Sequence, residues 1–160
     1  MSGCSVASDD GEILVGASIP GMGADGVRPV IGSLRALLAH TGVPARAARG
    51  GRLRLLFLDA GNGLIGDEAP PDGAAALCPR ALARRALALD AAAVILVREA
   101  SGGAAAPTAD DVALSRRVVA ALAVADVLLH DYLLVAEGRP TSLRGLGLLP
   151  GYGTGRPPSG

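Results

Sequence analysis

A short acidic motif in the C-terminal half of the chain is the clearest candidate for chemistry. Thr108-Ala-Asp-Asp111 places a hydroxyl and two carboxylates at the start of a helical pattern. A threonine at the N-cap and an aspartate three residues later can bind free amides of the first helical turn, which is worth about 1 kcal/mol. We expect this capping role for Thr108 and Asp111, and weak metal or anion binding is the alternative.

Four other groups of residues could also do chemistry. His130 and Asp131 are neighbours on a predicted strand, so their side chains point to opposite faces and do not share one site. Cys78 stands at a predicted helix start, where a thiol can be activated, but we expect no cysteine–histidine pair. Glu68 is expected to be a solvated carboxylate at a strand end, and the alternative is a stand-in general base. Residues 21–26 match G-x-G-x-x-G, but no strand pattern precedes them, so a flexible tail is expected rather than a dinucleotide loop.

Length and composition set the limits within which these residues must be positioned. The chain has 160 residues, 50% of them hydrophobic, which is enough for one domain with a substantial core. Its 15 arginines balance 15 acidic residues, and it contains no lysine, so charge indicates neither nucleic acid nor a membrane surface as a partner. Two cysteines make no disulfide framework, which favours a cytoplasmic protein. The longest apolar stretches, such as 91–97, fall far short of the roughly 20 residues of a membrane helix.

Hydrophobic periodicity predicts alternating helices and strands between two flexible tails, 1–28 and 150–160. The predicted domain, 29–149, has a mixed β-sheet flanked by helices, an α/β architecture. Its elements are a helix at 29–40, a hairpin of strands at 52–59 and 63–68, a helix at 79–90, a strand at 91–97, a helix after Thr108, a strand at 126–135 and a terminal turn at 142–147. The glycines of 60–63 are expected to supply the positive φ angles of the hairpin turn.

Six segments in this order resemble the RadC-type branch of the JAB/MPN domain family, whose metal-binding motif is called JAMM. The similarity covers about residues 29–149. The segments are LLFLDAGNGLI (55–65), the helix start PR with the following RAL (79–87), AAAVILV (91–97), PTADD (107–111), DYLLV (131–135) and SLRGLG (142–147). The resemblance implies the three-layer, cytidine deaminase-like JAB/MPN architecture.

The resemblance also implies where a metal site would be. Intact members hold one zinc ion with two histidines and an aspartate, and a glutamate activates the zinc-bound water. The family's His-Asn-His-Pro-Ser-Gly element falls on Arg98-Glu-Ala-Ser-Gly-Gly103, so the two histidine positions are Arg98 and Ala100. The aspartate ligand is retained as Asp111. The position of the serine that helps stabilise the tetrahedral intermediate is Thr108, and the glutamate position is Gly51.

These residues depart from the family pattern at both histidine ligand positions. Arg98 has only hydrogen-bond donors and Ala100 has no polar side chain, so one ligand of three remains. We therefore expect no metal and no other cofactor, with no catalytic residue intact. Arg98 is expected to pair with Asp111 as a cation in the place of the zinc, and the alternative is a basic pocket for a carboxylate or phosphate. The family's Asp-His pair is matched by Asp131-Tyr132, which leaves His130 at an apolar position.

The resulting expectation is a catalytically degenerate domain, a pseudo-metalloprotease rather than an enzyme. Metal-free MPN domains of the superfamily typically serve as partners, so an interaction or scaffold role with an unknown protein partner follows by analogy of fold. Two alternatives stay open: a zinc-dependent JAMM metallopeptidase or hydrolase as in intact members, and a decayed product of a mobile element or prophage. The absence of a basic patch or motif gives no support to a role in DNA repair.

Overall fold

The computed structural model describes residues 30–31, 36–37, 53–70, 77–100, 106–137 and 139–150. These segments form five strands and two complete helices. In chain order they are β1 (Leu53–Leu58), β2 (Leu64–Glu68), α1 (Pro79–Ala88), β3 (Ala93–Glu99), α2 (Ala109–Val124), β4 (Leu128–Ala136) and β5 (Arg139–Ser142). The predicted tails and residues 21–26 lie outside the described residues, so the boundaries of the domain stay predictions.

The strands form one mixed sheet in the order β2-β1-β3-β4-β5. β3 and β4 are parallel and every other neighbouring pair is antiparallel, which confirms the predicted α/β class. β5 has no counterpart among the predicted elements, because Arg-Pro-Thr-Ser lacks the alternation of apolar residues that marks a strand. A proline is tolerated there since β5 is at the edge of the sheet, where a missing amide costs no ladder hydrogen bond.

The two faces of the sheet carry separate apolar clusters. One face packs against α1 and α2 through alternate strand residues and buried helix residues, among them Phe57, Leu96, Leu82 and Leu122. The other face packs against Ile31 and Leu37. Because β3 contributes to both clusters, its nearly continuous apolar sequence is explained by its position in the middle of the sheet.

The N-terminal helix predicted at 29–40 is only partly covered by the described residues. Ala36 and Leu37 are helical, but Val30 forms an isolated antiparallel bridge with Gly63 and Ile31 N donates to Asn62 O over 2.8 Å. The prediction that the helix begins at Pro29 was therefore wrong at its first residues, since the chain pairs with the end of the hairpin before it turns helical.

The hairpin between β1 and β2 is confirmed, but its turn works differently from the prediction. The positive φ angle falls on Asn62, at 61°, rather than on a glycine. Asp59 Oδ1 accepts from the amides of Gly61 and Gly63 over 2.9 and 2.8 Å. Gly63 is required for space, because a Cβ atom there would lie 2.6 Å from Asp59 Oδ2.

Both helices end in the same way before the parallel strands. Asp90 after α1 and Asp126 after α2 each have a φ angle of 55°, in the left-handed region. The amide after each aspartate turns back to the helix, over 2.9 Å from Ala91 to Ala86 O and 3.0 Å from Val127 to Leu122 O. Aspartate is one of the few residues that tolerates this conformation, and it lets the chain reverse directly into the sheet.

This geometry predicts how substitutions at Asp126 rank. The Asp126→Ala variant should be about 1 kcal/mol less stable than Asp126→Gly, because glycine adopts a positive φ angle without steric cost and alanine does not. Urea unfolding of the two variants measures the difference. Equal midpoints and slopes would show that Asp126 does not hold the left-handed conformation in solution.

Candidate functional site

Four side chains from three elements meet at the carboxyl end of β3. Arg98 follows Val94 and Leu96 at two-residue spacing on β3, which places it on the face covered by the helices. Tyr132 is on the same face of the parallel strand β4, where it pairs with Leu96. The remaining two residues, Thr108 and Asp111, belong to the start of α2. We call Arg98, Thr108, Asp111 and Tyr132 the Asp111 cluster.

The carboxylate of Asp111 is the centre of this cluster and accepts five hydrogen bonds. Oδ1 receives Arg98 Nε over 2.9 Å and the Tyr132 hydroxyl over 2.8 Å. Oδ2 receives Arg98 Nη2 over 2.7 Å and both the amide and the hydroxyl of Thr108 over 2.9 Å. A carboxylate offers about four lone-pair positions, so its acceptor capacity is fully used. The expected ion pair between Arg98 and Asp111 is confirmed, with bidentate geometry.

The expected capping role of Thr108 and Asp111 is also confirmed. Thr108 is the N-cap of α2, and its hydroxyl accepts from the Asp111 amide over 3.2 Å. The Asp111 side chain in turn accepts from the Thr108 amide, which completes a capping box. The same carboxylate therefore fixes the start of α2 and binds it to β3 and β4.

Burial and hydrogen bonding have opposite effects on the charges of the cluster. Burial alone would raise the pKa of Asp111, but the bonds from Arg98, Thr108 and Tyr132 outweigh it and hold that pKa below the ordinary value. Burial would lower the pKa of Arg98, and the bonds and charge of Asp111 raise it instead. Burial and the bond to Asp111 both raise the pKa of Tyr132 strongly. The cluster is thus held as a carboxylate, a guanidinium and a neutral phenol.

The raised pKa of Tyr132 gives a direct spectroscopic prediction. The chain has two tyrosines, so the Tyr152→Phe variant leaves Tyr132 as the single phenol. Its ionisation, followed by absorbance at high pH, should occur well above the ordinary pKa of 10.0. Because the pKa is raised on folding, the stability it contributes is complete below pH 10 and is lost as the pH rises toward the folded value. Ionisation near pH 10 in folded protein would contradict the buried bond to Asp111.

The other positions implied by the family resemblance add no ligand. Ala100 directly follows β3, and its amide donates to Val135 O over 2.8 Å. Gly51, the position of the family glutamate, lies outside the described residues, so its alignment is not tested. Among the described residues, no group of three or more His, Cys, Asp or Glu side chains is placed to hold a metal ion. The donors present do not fit zinc, because Arg98 offers no lone pair and those of Asp111 are engaged.

The expectation for Glu68 was wrong. Its carboxylate is buried and binds Arg85 of α1, with Nη2–Oε1 at 2.6 Å and Nε–Oε1 at 3.0 Å. The physical reason is that the long Arg85 side chain reaches from α1 to the end of β2 and balances the charge of the carboxylate. Its neighbour Asp67 forms an ion pair with Arg54 of β1. Both carboxylates hold the edge strand β2 in place.

The remaining candidates from the sequence, Asp131, His130 and Cys78, lie among residues that stabilise the fold. Asp131 accepts from the Ser142 hydroxyl over 2.6 Å and from the Arg144 amide over 3.1 Å, which fastens the predicted turn after β5 to β4. His130, which the family alignment leaves at an apolar position, is half-buried in β4. Cys78 is the N-cap of α1 and makes no capping hydrogen bond through its side chain.

The hydrogen bond of Tyr132 to Asp111 was not among the sequence predictions. The sequence did contain a signal for it, because the family's Asp-His pair is matched by Asp131-Tyr132. Tyr132 is fully buried, and in the middle of a parallel strand such a hydroxyl needs a hydrogen-bond partner. Since Arg98 and Tyr132 stand on neighbouring strands at the same face, Asp111 is the acceptor that both can reach.

Comparison with known proteins agrees with this architecture. The chain is 39% identical over 127 residues to a UPF0758 protein of Rhodobacter capsulatus, which covers 76% of this chain and 58% of the relative. UPF0758 proteins of Halorhodospira halophila and Ruegeria pomeroyi are 43% identical over 97 residues and 35% identical over 127 residues. In these two cases the matches cover 59% and 76% of this chain but 43% and 56% of the relatives, so the chain spans about half the length of the curated relatives it matches. The family model for the RadC-like JAB domain matches residues 33–148, and the chain therefore belongs to the RadC-like JAB domain family.

Proposed function

We propose that this chain is a RadC-like JAB domain that has lost zinc-dependent hydrolysis and serves in the cytoplasm as an interaction module for another protein. The observation that supports this most strongly is the bidentate pair of Arg98 with Asp111, 2.9 and 2.7 Å long. This ion pair gives Asp111, at the ligand position that matches the family, a partner that keeps its positive charge. The cytoplasmic location is based on the two cysteines, which make no disulfide framework.

The chemistry of a zinc hydrolase needs groups that this cluster lacks. A catalytic zinc ion takes three protein ligands and keeps a fourth position for water. Arg98 offers none of the three, Ala100 has no donor, and Asp111 would have to give up hydrogen bonds to three residues. Freeing Asp111 would also leave the Arg98 guanidinium partly buried without its counter-ion, at a cost of several kcal/mol. The balance favours the arginine over a metal ion.

The arrangement of the replaced residues argues against simple decay. Random loss of ligands would leave Asp111 as a buried carboxylate with Thr108 as its hydrogen-bond partner but without a positive charge to balance its own, which is unfavourable. Arg98 and Tyr132 instead both complement its charge. Within the described parts of the chain, every buried side-chain nitrogen or oxygen has a hydrogen-bond partner. This consistency supports a domain whose fold is maintained for a use other than hydrolysis, and an interaction role follows by analogy of fold.

A hydrolysis assay tests the proposal. Wild-type protein and the Asp111→Asn variant are incubated with a fluorogenic peptide library, with and without equimolar Zn²⁺. We expect the same background for both proteins and no effect of zinc. Zinc-dependent cleavage by the wild type that disappears in Asp111→Asn would overturn the loss of activity and support the alternative, an active metallopeptidase.

A further inference from the structure

The hairpin turn between β1 and β2 holds the single carboxamide side chain of the protein. Asn62 is the one asparagine in the sequence, the chain has no glutamine, and Gly63 follows Asn62 directly. In an asparagine–glycine pair the backbone nitrogen reaches the side-chain carbonyl carbon with little hindrance, because glycine has no Cβ atom. Asn62 is exposed, so water has access to the place where such a reaction would occur.

The reaction open to this pair is deamidation through a cyclic imide. The Gly63 nitrogen loses its proton to hydroxide and attacks Cγ of Asn62, and the side-chain amide nitrogen leaves as ammonia. Water then adds to one of the two ring carbonyls, which gives either aspartate or isoaspartate at this position. The net change is the uptake of one water and the release of one ammonia, so the reaction needs no oxidant, metal ion or enzyme.

Hydrogen bonds hold the backbone on both sides of Asn62. Its amide donates to Asp59 O over 3.0 Å, and its carbonyl oxygen accepts from Ile31 N over 2.8 Å. The Gly63 nitrogen, which is the nucleophile, donates to Asp59 Oδ1 over 2.8 Å. These bonds hold Asn62 at a φ angle of 61° and direct the nucleophile toward Asp59, so ring closure requires the turn to open locally.

The charge of Asp59 adds to this restraint. Its Oδ1 accepts from the amides of Gly61 and Gly63 over 2.9 and 2.8 Å, so a carboxylate lies beside the nitrogen that must become an anion. A nearby negative charge and a hydrogen bond to the protonated form both oppose the loss of that proton. A carboxylate that acted instead as the base would speed the reaction, so the two roles predict opposite effects of its removal.

We propose that Asn62 is a site of self-modification by deamidation, and that the Asp59 carboxylate restrains this reaction while the hairpin is folded. Isoaspartate places an additional carbon atom in the backbone of the turn. The carbonyl that accepts from Ile31 N would then no longer belong to the backbone, and the attachment of residues 30–31 to the hairpin would weaken. The inference does not depend on the proposed function, because the turn takes no part in the Asp111 cluster.

Isoelectric focusing of the full chain measures the reaction, because conversion of the single asparagine adds one negative charge. Wild type and Asp59→Ala are incubated at mildly alkaline pH, and circular dichroism verifies that both are folded. We expect Asp59→Ala to deamidate about tenfold faster, since it loses two hydrogen bonds to a charged acceptor that keep the turn closed. Asp126→Ala is the control, because it removes an aspartate and lowers stability at another connection, and it should deamidate at the wild-type rate.

Two further measurements keep the test valid if the alanine variant does not fold. Asp59→Ser should deamidate faster than the wild type, because a serine hydroxyl accepts the hydrogen bonds of a turn more weakly than a carboxylate. In the wild type, NMR should show that the Gly63 amide exchanges with deuterium at least about tenfold more slowly than an unstructured glycine amide.

Four outcomes would overturn the inference. Equal or slower deamidation in the Asp59 variants is the first, and a slower rate would assign Asp59 the role of base. The second is an acceleration in Asp126→Ala as large as in Asp59→Ala, since the reaction would then follow global unfolding and not the turn. The others are exchange of the Gly63 amide at the unstructured rate and the absence of any charge shift in all variants.

Discussion

Replacing Asp111 with alanine should lower the free energy of unfolding by about 3 kcal/mol, one of the largest effects of any single substitution in this domain. The change leaves the Arg98 guanidinium and the buried Tyr132 hydroxyl without their common acceptor. It also removes half of the capping box at the start of α2. Urea unfolding followed by circular dichroism measures the loss.

Asp110→Ala is the matched control, since Asp110 is exposed in the same helical turn and takes no part in the cluster. Its effect should be within about 0.5 kcal/mol of zero. The pH dependence gives a second check. Because the pKa of Asp111 is lowered on folding, its contribution is present above the unfolded value near 3.8 and is lost as the pH falls through the folded value. If the stability of the wild type and of the Asp111→Asn variant fell by the same amount on acidification, the lowered pKa of Asp111 would be contradicted.

The second large effect is a gain of metal binding when the donors are restored. Arg98→His/Ala100→His/Tyr132→Phe should bind about one zinc ion per chain, because two imidazoles join a carboxylate freed from its strongest partners. The phenylalanine keeps the buried ring of Tyr132 and removes the hydroxyl that occupies Oδ1. Competition with a chromogenic zinc chelator measures the affinity. Gly51→Glu is left out, since the family glutamate acts on the water and does not hold the metal.

Adding Asp111→Asn to this triple variant provides the control, because it removes the one ligand that the natural sequence retains. Zinc binding should then weaken at least about tenfold. A triple variant that folds but takes up no zinc would show that the cleft differs from the family in more than its donors.

The sequence predicts the helices and strands that have strong apolar periodicity. It also predicts the ion pair of Arg98 with Asp111, through the alignment with the family's metal motif. β1, β2, α1, β3 and α2 agree with the predictions to within two residues at most ends, because each has an apolar pattern bounded by proline, glycine or a capping residue. The pairing of Arg98 with Asp111 could be predicted because they are oppositely charged and the family resemblance assigns both positions to one metal site.

Other features depend on tertiary contacts that no local pattern carries. β5 has no apolar alternation and forms because β4 offers an open edge. Glu68 is buried and binds Arg85 of α1, which is 17 residues further along the chain. Tyr132 joins the Asp111 cluster because β3 and β4 are parallel neighbours and Tyr132 pairs with Leu96 after a shift of register, which brings residues of distant segments to one face of the sheet.

Elemental analysis of the purified wild-type chain shows whether Asp111 holds a metal ion. After dialysis against micromolar Zn²⁺ and removal of loosely bound metal, we predict less than about 0.1 zinc per chain, because Arg98 occupies the ligand position that Asp111 would share with a metal ion. About one zinc per chain in the wild type, absent from the Asp111→Asn variant, would contradict that prediction and restore the domain to the metal-dependent members of its family.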